Sequence, residues 1–315
     1  MSGRFQRGPM KVDVIPGDFS DERLKYLYLS ARLGTMRAAA DAFGVAPSSV
    51  SRQIAQLERY LRQPLVEKGV HKVRLTAAGE LVVAHYQERL AHKEVLLSKL
   101  DDLQGIRTGR YALAVGEGFI STVLMSCLER FTQKFPKVEL DVLTANTPEV
   151  ISMITEDRAH IGIVFSPAPD PRIRVQLSVP QPLKAVVRAD HPLAKRGSVT
   201  LTELSNHPLI LTRSSFRIRS ILESAEREER VLLKPMVTTN SMLLMTEGAL
   251  RGFGVAVMSE LPASRPLASG ELVAVSIDNP TLKGTTADVI TRLGRQLPSG
   301  AQLILDTLRR TLSTT

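Results

Sequence analysis

At 315 residues the chain is long enough for two or three units that each bury a core, and 43% hydrophobic with 23% charged residues excludes a largely disordered chain. The 41 Lys and Arg against 32 Asp and Glu favour a polyanionic partner; residues 1–109 hold 17 basic and 12 acidic residues and residues 110–315 hold 24 and 20, so the excess is denser in the shorter N-terminal part. The single cysteine, Cys127, excludes an intramolecular disulfide, and no run approaches the ~18 apolar residues of a membrane span, so the expected compartment is the reducing cytoplasm.

Residues 1–19 hold Gly3, Gly8, Pro9, Pro16 and Gly17 without periodicity and read as a flexible N-terminal extension. From Ser20 to Arg32, Leu24, Leu27, Tyr28 and Ala31 recur at helical spacing behind a Ser20 cap. Met36 to Phe43 is a short Ala-rich helix. Gly44 supplies a turn residue tolerant of positive φ, and Ser48 or Ser49 opens the next helix, which runs to Leu61. A basic hairpin follows from Gly69 to Leu75 and is closed by Thr76-Ala77-Ala78-Gly79. These pieces make a winged helix-turn-helix over residues 20–78.

From Ala77 to Leu103 no proline interrupts the chain, and Val83, Leu90 and Leu97 repeat every seven residues, with Tyr86 and Leu100 on the neighbouring line. Lys93 breaks that line, so either a dimer seam or packing on the helix's own domain accounts for the stripe. The dimer reading makes residues 79–106 a linker and dimerisation helix. Beyond Arg110, short apolar runs alternate with amphipathic helices, from Tyr111–Gly116 through Ile161–Phe165 and again from Leu209–Thr212 to Val255–Met258, which implies α/β units with parallel sheets. Two α/β subdomains are expected, one from 109–182 with 284–315 and the other from 183–283.

The motif with the most chemistry runs from Thr35 to Glu58. Ala39, Ala40, Phe43, Val45, Val50, Ile54 and Leu57 make the buried face where two helices cross, and small alanines permit close approach. The opposite side presents Ser48, Ser49, Ser51, Arg52 and Gln53, donors and acceptors short enough to reach base edges and phosphates in a major groove of duplex DNA, and Arg37 and Pro47 join them as expected DNA contacts. His71, Lys72 and Arg74 on the wing suit phosphate contacts.

Over nearly its whole length, from about Phe19 to Leu312, the chain resembles the LysR-type regulators. The carriers are Ala39-Ala40, Ser51-Arg52-Gln53-Ile54, Leu57-Glu58 and Leu75-Thr76-Ala78-Gly79, with looser likeness at Ile161-Gly162-Ile163, His191-Pro192-Leu193 and Gly252-Phe253-Gly254-Val255-Ala256. Departures are Arg62, where the family usually has glycine, and Val66 and Lys68 before the wing, in place of phenylalanine and arginine. The resemblance implies a homodimer through the linker helix, often a homotetramer, acting on promoters beside RNA polymerase. It also implies a periplasmic-binding-protein-like effector domain with a ligand cleft between its subdomains.

Candidate effector contacts lie at apparent helix starts after strands: Glu117, Gly118 and Phe119 before a helix from Ile120; Arg213, Ser214 and Ser215; and Asn240 and Ser241. Ser166 joins them by resemblance to family ligand sites. Capping alone is the competing reading of each, and an ion pair between Glu117 and Arg213 the competing reading of those two. If they line a cleft, Arg213 offers a two-pronged carboxylate grip and Glu117 accepts an amine, so the expected effector is a small polar metabolite bearing a carboxylate. Neither G-x-S-x-G, H-E-x-x-H nor a Walker A sequence occurs, and the six histidines are scattered, so neither catalysis nor a metal or other cofactor is expected. The other readings are a solute-binding protein, against which the N-terminal module argues, and an architectural DNA-binding protein with no effector.

Overall fold

The computed structural model describes residues 19–67, 72–103, 108–120 and 124–312. The expected flexible extension and wing residues Lys68 to His71 therefore lie outside the described residues, apart from Phe19. The chain divides into two compact units, Met1–Lys93 and Glu94–Thr315.

The N-terminal unit is built on helices α1 (Asp21–Leu33), α2 (Met36–Phe43) and α3 (Pro47–Leu61), followed by the start of α4 (Ala77–Leu103). Ser20 caps α1 and Thr35 caps α2 through their hydroxyls, and Gly44 ends α2 in the left-handed region at φ 67°, where it turns the chain into α3. Helix α3 begins earlier than Ser48 or Ser49: Pro47 takes its first position because the ring presets φ and lacks the amide that would go unpaired there. Arg62 ends α3 in the left-handed region at φ 53°, so the family's usual glycine position is filled by a residue that bears backbone strain.

Leu24, Leu27, Ala39, Ala40, Val50, Ile54, Leu57 and Tyr86 form this unit's core. The wing is held at its base. A Glu58 carboxylate oxygen accepts from the amides of Leu65 (2.8 Å) and Val66 (3.3 Å), Val66 bridges antiparallel to Leu75, and the amide of Val73 donates to the carbonyl of Gly34 at 2.8 Å. At Gly79 a side chain would overlap the carbonyl oxygen of Leu65, so the start of α4 approaches the wing strand as only glycine permits.

The C-terminal unit has two lobes. The first carries β1 (Gly109–Val115), α5 (Met125–Lys134), β2 (Val138–Thr144), α6 (Thr147–Thr155), β3 (Ile161–Phe165) and β4 (Ile173–Pro180). The second runs through β5 (Lys184–Arg188), β6 (Ser198–Val199), α7 (Leu201–Leu204), β7 (Leu209–Thr212), α8 (Arg217–Glu229), β8 (Pro235–Thr239), α9 (Met242–Leu250), β9 (Val255–Met258), α10 (Ser264–Ala268), β10 (Leu272–Ile277) and α11 (Pro280–Lys283). The chain then returns to the first lobe with β11 (Thr286–Arg292) and α12 (Ser299–Leu312). Strand orders are β2-β1-β3-β11-β4 and β6-β10-β5-β9-β7-β8.

Alternation along β1 shows how the first lobe is layered: Tyr111, Leu113 and Val115 enter the main core, while Ala112 and Ala114 face a second cluster with Val150 and Ile154 of α6. The expected parallel pairing holds for β1 with β2 and β3 and for β7 with β8 and β9, but both sheets are mixed. β11 runs antiparallel to β3 and β4, and β5 antiparallel to β9 and β10, because the chain passes between the lobes twice and returns reversed. The two crossing segments pair with each other: Gln181 donates its amide to Thr285 at 2.8 Å and Leu183 to Leu282 at 3.0 Å.

Candidate functional site

On the N-terminal unit, α3 leaves Pro47, Ser48, Ser51 and Arg52 exposed, with Arg37 exposed on α2 and Lys72 and Arg74 exposed on the wing. Ser49 is half-buried, and so is Gln53, whose carbonyl oxygen accepts from Nε of Arg23 on α1 at 3.0 Å. The amide of Gln53 is thus oriented by the helix behind it. Buried Val50, Ile54 and Leu57 fix the helix rotation that sends Ser51 and Arg52 outward. Such a face offers hydroxyl and guanidinium donors of the kind that read base edges in a major groove. His71 lies outside the described residues.

Along α4 the seam residues divide. Val83 packs against the N-terminal unit's own core, which corrects its place in an open dimer stripe. Leu90, Leu97 and Leu100 are exposed, and Leu96 and Leu103 join them.

In the C-terminal unit a cavity opens to solvent between the lobes. Its lining comes from residues that follow the carboxyl ends of strands, where open α/β sheets place ligands: Gly116 to Phe119 after β1, Ala145 to Thr147 after β2, Phe165 ending β3, Phe216 to Ile218 after β7, Met242 after β8, and Ser259 and Pro262 after β9. Phe119, Phe165, Phe216, Ile218, Met242 and Pro262 make its apolar walls. Asn146 and Glu149 close the N-terminus of α6 with a reciprocal capping box, whereas no side chain caps α8.

The expected effector residues are only partly gathered there. Glu117, Gly118 and Phe119 line the cavity as a 3-10 turn; Ile120, the expected helix start, is helical, and the regular α-helix α5 runs from Met125. Ser241 caps α9 and Ser166 follows the cavity-lining Phe165 with its backbone left-handed at φ 42°, and neither serine lines the cavity. Arg213, Ser214, Ser215 and Asn240 are exposed and do not line the cavity. The reason is helix phase: α8 starts at Arg217, so the guanidinium that reaches the cavity is one turn later than Arg213. Nε of Arg217 donates to the Ser166 carbonyl at 2.7 Å, from one lobe to the other, and a second nitrogen reaches Ser220 at 3.3 Å. Arg217, Ser259 and the Asn146-Thr147 pair escaped the sequence reading. A strand end followed by a polar residue was their only signal, and Phe216-Arg217 carried none of the Ser, Thr or Asn marks of a helix start.

Glu117 turns its carboxylate to the start of α9 and makes no ion pair with Arg213. Its two carboxylate oxygens accept from the Ser241 hydroxyl at 3.0 Å and from the amides of Met242 at 2.9 Å and Leu243 at 3.4 Å. Among the described residues no cluster of three or more His, Cys, Asp or Glu suits a metal, and no helix is long and apolar enough to cross a membrane.

Comparison with known proteins agrees with this geometry. Residues 22–80 match the bacterial regulatory helix-turn-helix protein, lysR family, and residues 104–313 match the LysR substrate binding domain. The HTH-type transcriptional regulator CbbR of Rhodospirillum rubrum is 27% identical over 274 residues, covering 86% of this chain and 89% of the relative. Among solved structures, a full-length OxyR variant from Pseudomonas aeruginosa superposes with a TM-score of 0.63 at 18% identity, covering 92% of this chain and 94% of that one. The Synechocystis PCC6803 CcmR regulatory domain in complex with 2-PG gives 0.57 at 22% identity, covering 66% of this chain and 99% of that one. The chain belongs to the LysR-type family of DNA-binding transcriptional regulators with an effector-binding domain.

Proposed function

We propose that this regulator reads promoter DNA through Ser48, Ser51 and Arg52 of α3, with Lys72 and Arg74 on flanking phosphates, and that a small monocarboxylate with an apolar body, held in the cavity between the lobes, sets its activity. The observation that carries the effector reading is the meeting, on one cavity, of the Arg217 guanidinium and the uncapped N-terminus of α8 with walls of phenylalanine, isoleucine and methionine. A guanidinium beside free helix amides suits one carboxylate, and the aromatic walls suit the rest of the molecule. The complex of the related CcmR regulatory domain with 2-PG supports a small-molecule effector on this fold. The protein acts in the cytoplasm as a homodimer, or a tetramer of two dimers, through the exposed leucines of α4, with RNA polymerase as a further partner at the promoter. It acts without a cofactor or catalysis.

Calorimetric titration of the full-length protein against a panel of small monocarboxylates tests the effector reading. Saturable binding of at least one, weakened about tenfold or more by Arg217→Ala, is the expected result. A ligand that binds Arg217→Ala as tightly as the parent protein, or a panel with no binder, overturns it.

A further inference from the structure

We propose that Glu117 is a built-in anion: its carboxylate takes the place at the N-terminus of α9 that a ligand's acid group would take, latching the lobes together without an effector and barring a second carboxylate from the cavity. The inference rests on the cavity being the effector site and adds how that site is regulated.

Helix α9 presents its first amides and its positive dipole end toward the first lobe. In open α/β folds such an end binds anions, and here every first-turn donor is already engaged. Met242 and Leu243 donate their amides to Glu117, the Ser241 hydroxyl does the same, and the amide of Leu244 donates to the Ser241 side chain at 3.3 Å. The carboxylate belongs to the first lobe, whereas all of its donors belong to the second. On the cavity's other side, Arg217 donates back across the gap to Ser166, so two charged side chains of opposite sign, one from each lobe, fasten the cavity. Closure between Gly118 and its neighbours is tight: a Cβ at Gly118 would stand 3.2 Å from Pro262 Cγ and 3.7 Å from Met242 Cγ.

Two consequences follow from charge. With α9 satisfied by Glu117, the cavity's remaining positive features are Arg217 and the start of α8, which together suit a single acid group. A dicarboxylate would bring its second charge against Glu117. The lobes are also joined by the chain's own charged groups, so an effector acts on an interface that Glu117 and Arg217 already bridge.

The test needs no effector, so its failure leaves the Arg217 reading standing, and failure of that reading leaves this result interpretable. Hydrogen exchange is followed by mass spectrometry on the peptide holding Met242 and Leu243, in the full-length protein and in Glu117→Ala and Glu117→Gln. Propionate, a small carboxylate one carbon longer than the deleted group, is added on the order of 10–100 mM, a range suited to a weak site. The parent protein should protect these amides regardless of propionate. Glu117→Ala should exchange them about tenfold faster or more, and propionate should restore protection saturably. Glu117→Gln, which keeps the shape but not the charge, should fall between. Equal exchange in all three proteins, or a Glu117→Ala variant indifferent to propionate, overturns the proposal; so does Glu117→Gln behaving as the parent, since charge would then be irrelevant.

Discussion

Nε2 of His160 lies 2.7 Å from a carboxylate oxygen of Glu94, which places a residue of α4 on the first lobe of the effector domain. The Nδ1 of that histidine accepts from the amide of Ala112 at 3.0 Å, so the ring hydrogen sits on Nε2 and Glu94 is its acceptor. The other oxygen of Glu94 accepts from Arg295 at 2.9 Å, and Arg295 in turn meets Asp157 at 3.0 Å.

This attachment weakens in acid. Burial alone raises the Glu94 carboxyl, but the hydrogen bond from His160 and then the charge and hydrogen bond of Arg295 outweigh it and hold the group below the ordinary carboxylate value. A carboxyl lowered in the folded state contributes stability that is complete above its unfolded value and lost as pH falls through the folded one. Glu94→Ala should lower the effector domain's stability by about 1–2 kcal/mol at neutral pH and by progressively less below the ordinary carboxylate range. Thermal unfolding of both proteins across that pH range checks this, and an equal difference at every pH would contradict it.

At the DNA interface, Arg52→Ala or Ser51→Ala should weaken operator binding by about 1–3 kcal/mol without lowering the melting temperature, because both side chains are exposed. Lys72→Ala or Arg74→Ala should weaken binding to all sequences and reduce the slope of log affinity against log salt by about one each. Fluorescence anisotropy with operator and scrambled duplexes separates the two classes. An unchanged slope removes the wing cations from the phosphate contacts.

Gly79→Ala should destabilise the N-terminal unit by about 1–3 kcal/mol, because the new methyl meets the backbone carbonyl of Leu65, which has no side-chain freedom to yield. Since Leu65 begins the wing strand, operator affinity should fall as well, measured on the same duplexes. A variant with parental stability would show that the α4 start and the wing are not packed as described.

Leu90→Asp with Leu97→Asp should yield monomers by multi-angle light scattering, since both side chains are exposed in the single chain. Val83→Asp should instead lower the melting temperature, because Val83 packs into its own unit's core. A dimer that survives the double substitution places the interface elsewhere.

Cys127 is fully buried, and burial pushes its thiol up to about 11, so little thiolate exists at neutral pH. Peroxide at concentrations that oxidise exposed thiolates should leave operator binding unchanged, and Cys127→Ser should keep that indifference. Loss of binding on oxidation that disappears in Cys127→Ser would assign the cysteine a redox role.

What the amino-acid sequence determined is local or periodic. The helix-turn-helix was legible because Ala39, Ala40, Val50, Ile54 and Leu57 repeat at helical spacing and Gly44 marks the turn, features that need no knowledge of the rest of the chain. The alternating strands and helices of the effector domain were legible for the same reason. Tertiary structure alone decided the direction of β11 and β10, because strand polarity follows from where the chain re-enters a sheet and not from its residues. It also decided the cavity. A shift in the first turn of α8 exchanged Arg213 for Arg217, and the docking of one lobe on the other turned Glu117 from an expected ligand contact into the partner of Ser241 and Met242. Those partners lie more than a hundred residues along the chain, a separation over which no spacing rule in sequence carries information.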